Sequence, residues 1–110
     1  MRIYEVRMSL AAYSDMAQLR VFLKDMLSEE GAIRYANNMR TEIKMLSVYA
    51  ECNGLSTSST LRQIHPKARR MLSHNRKWLY VYHIEGSSVI VDRIIPAKMN
   101  KGWSVSDSFD

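Results

Sequence analysis

Apolar and polar residues alternate through Arg2–Met8, where Ile3, Val6 and Met8 are apolar and the alternation slips at Tyr4-Glu5. That spacing predicts a short, half-buried strand. Ser9 follows in the position of a helix N-cap, since its hydroxyl can accept from an orphan amide of the first turn. Tyr13, Met16, Leu19, Leu23, Met26 and Leu27 then recur at three- and four-residue steps and predict one apolar face of a first helix. Ser28-Glu29-Glu30-Gly31 interrupts it, and the two acids suit the positive end of a second helix. In that helix Ala32, Ala36, Met39, Ile43, Leu46 and Ala50 form a stripe with steps of 4, 3, 4, 3 and 4. The short break predicts an antiparallel helix pair, a surface that could also serve a homodimer.

The period changes after a polar loop at 52–60. Leu61-Arg62-Gln63-Ile64 and Arg69-Arg70-Met71-Leu72-Ser73 predict short strand pieces, separated by His65-Pro66. Lys77–Ile84 and Val89–Ile95 are rich in β-branched and aromatic residues and predict two longer strands. Gly86-Ser87 between them predicts a two-residue hairpin with a type II′ turn. Its register opposes Glu85 to Ser88 beside the turn, and then Tyr82 to Val91, Tyr80 to Arg93 and Trp78 to Ile95 on the side expected to cover the helices. His83–Ile90, Val81–Asp92 and Leu79–Ile94 then occupy the other side, expected to form an open binding surface. Pro96 should end the strand. The expected fold is α+β: an N-terminal strand, an antiparallel helix pair, then a three- to four-stranded, mainly antiparallel twisted sheet. Residues 1–103 read as one domain and 104–110 as a short tail.

Composition adds two constraints. Of 110 residues 46% are apolar, with one cysteine, Cys52, so no internal disulfide can form. No membrane span or signal peptide is visible, and a reducing cytoplasm is expected. The charge is lopsided. Residues 1–51 hold seven Lys/Arg and seven Asp/Glu, whereas 52–101 hold nine Lys/Arg and only Glu85 and Asp92 as acids. Such a split points to an anionic partner, although a solvated basic face has the same composition.

The element order, Leu61-Arg62 after two Ala- and Leu-rich helices, the Tyr80-Val81-Tyr82-His83-Ile84 strand running into Glu85-Gly86, and Val89–Ile95 followed by Lys98 together resemble the RelE/ParE superfamily. The resemblance spans about residues 2–101. It implies a toxin of a toxin–antitoxin pair, of the kind that stabilises plasmids, held in check by a cognate antitoxin. RelE-like members cut messenger RNA on the ribosome. ParE-like members poison DNA gyrase without being nucleases. A decayed toxin that keeps only antitoxin binding is a third possibility. The strand arginine of RelE that contacts the scissile phosphate falls here on Leu79, and the arginine after its last strand falls on Met99. Arg93 fits an arginine common in ParE-like strands, where the His-Gly that often follows reads Pro96-Ala97.

RNA cleavage needs a deprotonated 2′-hydroxyl, a neutralised phosphate and a protonated leaving oxygen. Arg and Lys serve the second need, and His, with an unperturbed pKa of about 6.5, the first or third. His83, His74, Arg70 and Lys98 are therefore the catalytic candidates. Arg62, Lys67, Arg69, Arg76, Lys77 and Lys101 are candidates for holding nucleic acid, although basic residues also protect sheet edges from aggregation. Leu79, Val81, Ile90, Ile94 and Trp103 are candidates for antitoxin contact. The histidines lack metal-ligand spacing and Cys52 stands alone, so neither metal nor cofactor is expected.

Overall fold

The structure, a computed structural model, describes residues 2–98. Strand β1 (Glu5–Met8) leads into α1 (Leu10–Met26), α2 (Glu29–Lys44) and the short α3 (Leu46–Tyr49), followed by a 3-10 turn at Ala50–Cys52. After a loop come α4 (Ser59–Ile64), β2 (Arg69–Leu72), β3 (Trp78–Glu85) and β4 (Ser88–Pro96). The sheet order is β1-β4-β3-β2; β1 runs parallel to β4 and the other pairs are antiparallel. This is the expected α+β architecture.

Caps define the helix starts. Ser9 Oγ accepts from the Ala12 amide at 3.0 Å, and Ser28 Oγ accepts from the Gly31 amide at 3.0 Å. Gly31 therefore lies inside the first turn of α2, and the interruption is shorter than the sequence indicates. All six residues of the Ala32–Ala50 stripe are buried, although the backbone turns at Met45 before α3. In α1 the buried face is Ala12, Met16, Leu19 and Leu23, while Tyr13, Met26 and Leu27 are exposed. These faces pack on Tyr80, Tyr82, Val89, Val91 and Ile94, with Val6, Met8 and Trp78 at the margin.

Two expectations are corrected. Leu61–Ile64 is helical: Ser58 caps it, with its hydroxyl 3.4 Å from the Leu61 amide, and Leu61 and Ile64 face the sheet three residues apart. Pro66 ends it, because the residue before proline is disfavoured in the helical region; His65 is extended, at φ −156° and ψ 139°. The hairpin register is also altered. Gly86 has φ +61° and Ser87 has no positive φ, as a type II′ turn requires, and the pairs from Glu85–Ser88 to Tyr82–Val91 match expectation. A β-bulge at Asp92 then shifts the register, so that Val81 opposes Arg93, Tyr80 opposes Ile94 and Leu79 opposes Ile95. Ile94, not Arg93, consequently joins the core beneath the helices.

Among the described residues the outer edge of β4 beyond Val91 has no strand partner, because β1 pairs only as far as Met8–Val91. Helix α1 fills that gap. Ser9 donates its amide to Val91 O at 2.9 Å and its hydroxyl to Asp92 O at 2.8 Å. Asp15 accepts from the Ile94 amide at 2.9 Å and from Arg93 Nε and Nη2 at 2.7 and 3.0 Å. The carboxylate raises the Arg93 pKa, chiefly through this hydrogen bond. Asp15→Ala should therefore destabilise the fold by about 2–3 kcal/mol, as expected for a charge-assisted bond whose partners lose their acceptor, whereas Asp15→Asn, which can still accept from the Ile94 amide, should cost less. Urea unfolding of the two variants measures the difference.

The aromatic core carries phenols on polar leashes. Tyr80 donates to Glu42 Oε1 at 2.6 Å and Tyr82 donates to Ala50 O at 2.6 Å. Burial, reinforced at Tyr80 by Glu42, raises both phenol pKa values. An unfolded chain releases these protons near pH 10 whereas the native one retains them. Stability should be fully present below about pH 10 and fall as pH rises beyond it. Tyrosinate absorbance recorded alongside unfolding should show Tyr80 and Tyr82 ionising only as the chain unfolds.

Candidate functional site

Helix α4 and the turn behind it cover part of the sheet face opposite the helix pair. Leu61, Ala68 and Val81 form a second small core there, with Ile64 and Ile95 against it. Within this cover lies a compact polar cluster. His83 Nδ1 is 2.6 Å from Asp92 Oδ2, and its Nε2 is 3.5 Å from Glu85 Oε2. The ring of His65 stacks on that of His83 with centroids 3.7 Å apart and an interplanar angle of 3°. His65 Nδ1 in turn accepts from the Lys67 amide at 3.0 Å. The extended backbone imposed at His65 by Pro66 lays its imidazole on the strand instead of continuing α4, and the bulge places Asp92 where it can reach His83.

His83 is consequently 8% exposed, not open as its register predicts. Its geometry can hold a proton between Asp92 and an imidazole, but the ring face toward His65 is covered by the stack. His74 stands apart from it. That residue lies in the β2–β3 turn, exposed, and donates its amide to Glu42 Oε2 at 2.7 Å.

The basic residues do not gather on one bare face. Arg69 pairs in register with Tyr82 and Arg70 with Val81, so the two point to opposite sides of the sheet. Arg69 Nη1 donates to Asn53 O at 2.6 Å, and its Nε is buried without a partner. Arg70 is half-buried on the α4 side. Arg62 and Lys67 are exposed around α4 and its following turn. Arg76, Lys77 and Lys98 are exposed at the opposite end of β2 and β3, where the Ala97 amide donates to Lys77 O at 2.9 Å. Arg76 has φ +65°, in the left-handed region, as the chain closes the β2–β3 turn. Lys101 and Trp103 lie outside the described residues.

Three proposed antitoxin contacts are corrected. Leu79, Val81 and Ile94 are buried, Val81 under α4 and Ile94 beneath the helix pair, so none presents a docking surface. Leu79, buried in the sheet, also presents nothing to a phosphate. Ile90 remains half-buried on the α4 side of the sheet, between Arg7 and His83 in register.

Sequence reasoning missed the Asp15–Arg93 pair, the Asp92–His83 contact and the histidine stack. Adjacent Asp92-Arg93 inside a β-branched strand was a signal for a bulge. Asp15 on the flank of α1 carried none. Among the described residues no group of three His, Cys, Asp or Glu is placed to hold a metal ion, and no helix is long and apolar enough to cross a membrane.

No protein-family model and no curated protein matches the chain. Among solved structures it is similar to one described as the chromosomal ParDE TA system from P. aeruginosa, with 14% identity and a TM-score of 0.72 over 86% of this chain and 96% of that one. The two chains thus share a fold over most of their length.

The histidine cluster makes a prediction about protons. In the neutral rings, Asp92 requires a hydrogen on His83 Nδ1, while the Lys67 amide requires a lone pair on His65 Nδ1. Long-range nitrogen–proton NMR should report opposite tautomers for the stacked pair, and Asp92→Ala should release that of His83.

Proposed function

We propose that this chain is the toxin of a toxin–antitoxin pair and that it acts in the ParE manner, by arresting DNA gyrase, without cutting RNA. The observation that carries the reading is the likeness to the ParDE structure, at a TM-score of 0.72 over 86% of this chain. The local chemistry leans the same way. RNA cleavage needs an acid, a base and phosphate-binding cations converging on one accessible spot. Here Arg69 and Arg70 diverge, Leu79 is buried, and His83 is covered by His65. Exposed cations are spread around the rim, an arrangement suited to contacting a large acidic assembly and not to in-line attack on a phosphodiester.

One feature of the site supports the nuclease reading as the alternative. Asp92 and His83 form a hydrogen-bonded carboxylate–imidazole pair, 2.6 Å apart, with the His65 ring stacked on it at 3.7 Å. Movement of His65 would open it.

The cognate antitoxin, in either case, is expected to be a protein that shields the exposed apolar and basic surface, folding as it binds. Controlled induction in a bacterial host should arrest growth and raise DNA damage signalling while transcripts stay intact. Purified protein should inhibit gyrase supercoiling and leave ribosome-bound messages whole. Cleavage within ribosome-occupied codons, abolished by His83→Ala, would transfer the assignment to the nuclease; unimpaired growth would refute a toxin of either kind.

A further inference from the structure

The exposed turn between β2 and β3 is held by a network of hydrogen bonds. The Arg76 amide donates to Ser73 O at 2.9 Å and Ser73 Oγ to Asn75 Oδ1 at 2.7 Å. The Lys77 and Trp78 amides donate to Asn75 Oδ1 and Ser73 Oγ, each at 3.0 Å. Helix α2 anchors the turn. Tyr35 Oη accepts from Asn75 Nδ2 at 2.7 Å and from Trp78 Nε1 at 3.0 Å, and Glu42 takes the His74 amide on one oxygen and the Tyr80 hydroxyl on the other. Arg76, Lys77 and Lys98 are all exposed, with Lys98 next to the Ala97 amide that donates to Lys77 O at 2.9 Å. Among the described residues none of these three cations forms an ion pair. Arg76 has φ +65°, a left-handed conformation that glycine and asparagine adopt more readily. An arginine kept at a strained position, in a turn whose neutral side chains already hold its shape, points to a guanidinium that serves something outside the fold.

We propose that Arg76, Lys77 and Lys98 form a contact for the phosphate backbone of duplex DNA. This contact rests on the gyrase reading above, since gyrase works on duplex DNA, and it makes the DNA segment beside the enzyme a second surface that this protein holds. A guanidinium can grip a phosphate through two parallel N–H groups, and each lysine adds a point charge. Because the turn is already fixed, its cations meet the closely spaced charges of a duplex without first ordering a loop. Trp78 and Tyr35, the aromatic residues packed at the turn, are half-buried and joined by a hydrogen bond. Neither stands free among the cations to stack on unpaired bases, the mode that favours single strands. A contact made to phosphates alone reads no sequence.

The experiment follows binding of the purified full chain to a fluorescein-labelled, random-sequence DNA duplex by anisotropy across a salt series. Three phosphate contacts give a slope of log K against log salt of about −2.7, a loss of ~40-fold from about 50 to about 200 mM salt. Arg76→Gly should weaken binding several-fold and make the slope shallower by about 0.9. Its urea midpoint should stay at or above the parent's, because glycine accepts the positive φ without strain. Combining Arg76→Gly with Lys77→Ala and Lys98→Ala should abolish binding, whereas Arg20→Ala with Lys24→Ala, which removes two exposed cations of α1, should leave it intact. Undetectable duplex binding, a triple variant that binds like the parent, or a preference for single strands would each overturn the contact. So would polyglutamate competing as well as DNA, since the patch would then belong to an acidic protein. Supercoiling assays on the same proteins separate the contact from its premise. Gyrase inhibition without duplex binding removes the DNA contact alone; duplex binding without inhibition removes the gyrase reading and leaves the contact standing.

Discussion

Two charged residues stand side by side in the middle of a buried strand, and the rest of the architecture follows from how they are accommodated. A regular β4 would send Arg93 toward the helix pair, where a guanidinium has no counter-charge and burial without one costs several kcal/mol. The bulge at Asp92 adds one residue opposite Val81, so that Ile94 enters the core and both charges find partners. Arg93 meets Asp15 on α1, and Asp92 meets His83 on β3. One irregularity therefore ties the first helix to the free edge of β4 and creates the polar cluster of the opposite face.

The two faces of the sheet are closed by different means. On one, the interleaved Ala, Met and Ile stripe of α2 and the narrower stripe of α1 bury the aromatics of β3, whose hydroxyls reach outward to Glu42 and Ala50. Small residues at Ala12, Ala32 and Ala36 allow the helices to approach the sheet closely. On the other, six residues of α4 suffice, because Pro66 turns the chain and lets His65 take over as the cover of His83. The cover stops short of β1 and the outer part of β4, where Glu5, Arg7 and Ile90 remain accessible.

This division of labour bears on how the molecule works. The cations that a polyanion would meet stand on loops and helix ends, at two separated ends of the β2–β3 pair, and the titratable groups best placed for proton transfer are inside. A protein of this fold that acts through its surface, by binding and blocking a large partner, is consistent with both placements. A nuclease would require the interior cluster to be uncovered.

The helix pair, the hairpin turn, the Ala32–Ala50 stripe and the α+β order were legible in the sequence, since each depends on contacts between near neighbours along the chain: caps, i+3 and i+4 spacing, and a glycine at a required positive φ. Cys52 and the one-sided distribution of positive charge were legible for the same reason, being properties of the chain itself. Leu61–Ile64 was misread because four residues carry too little periodicity to separate strand from helix. The site was out of reach for a different cause. His65 lies on His83 across 18 positions, and Asp15 reaches Arg93 across 78. The first contact needs the chain to turn back at Pro66, and the second depends on a single-residue slip of the hairpin register, which sends every later side chain to the other face. Local pattern determined which elements form; only the packed sheet decided which charges are paired, which histidine is covered, and which surface stays exposed.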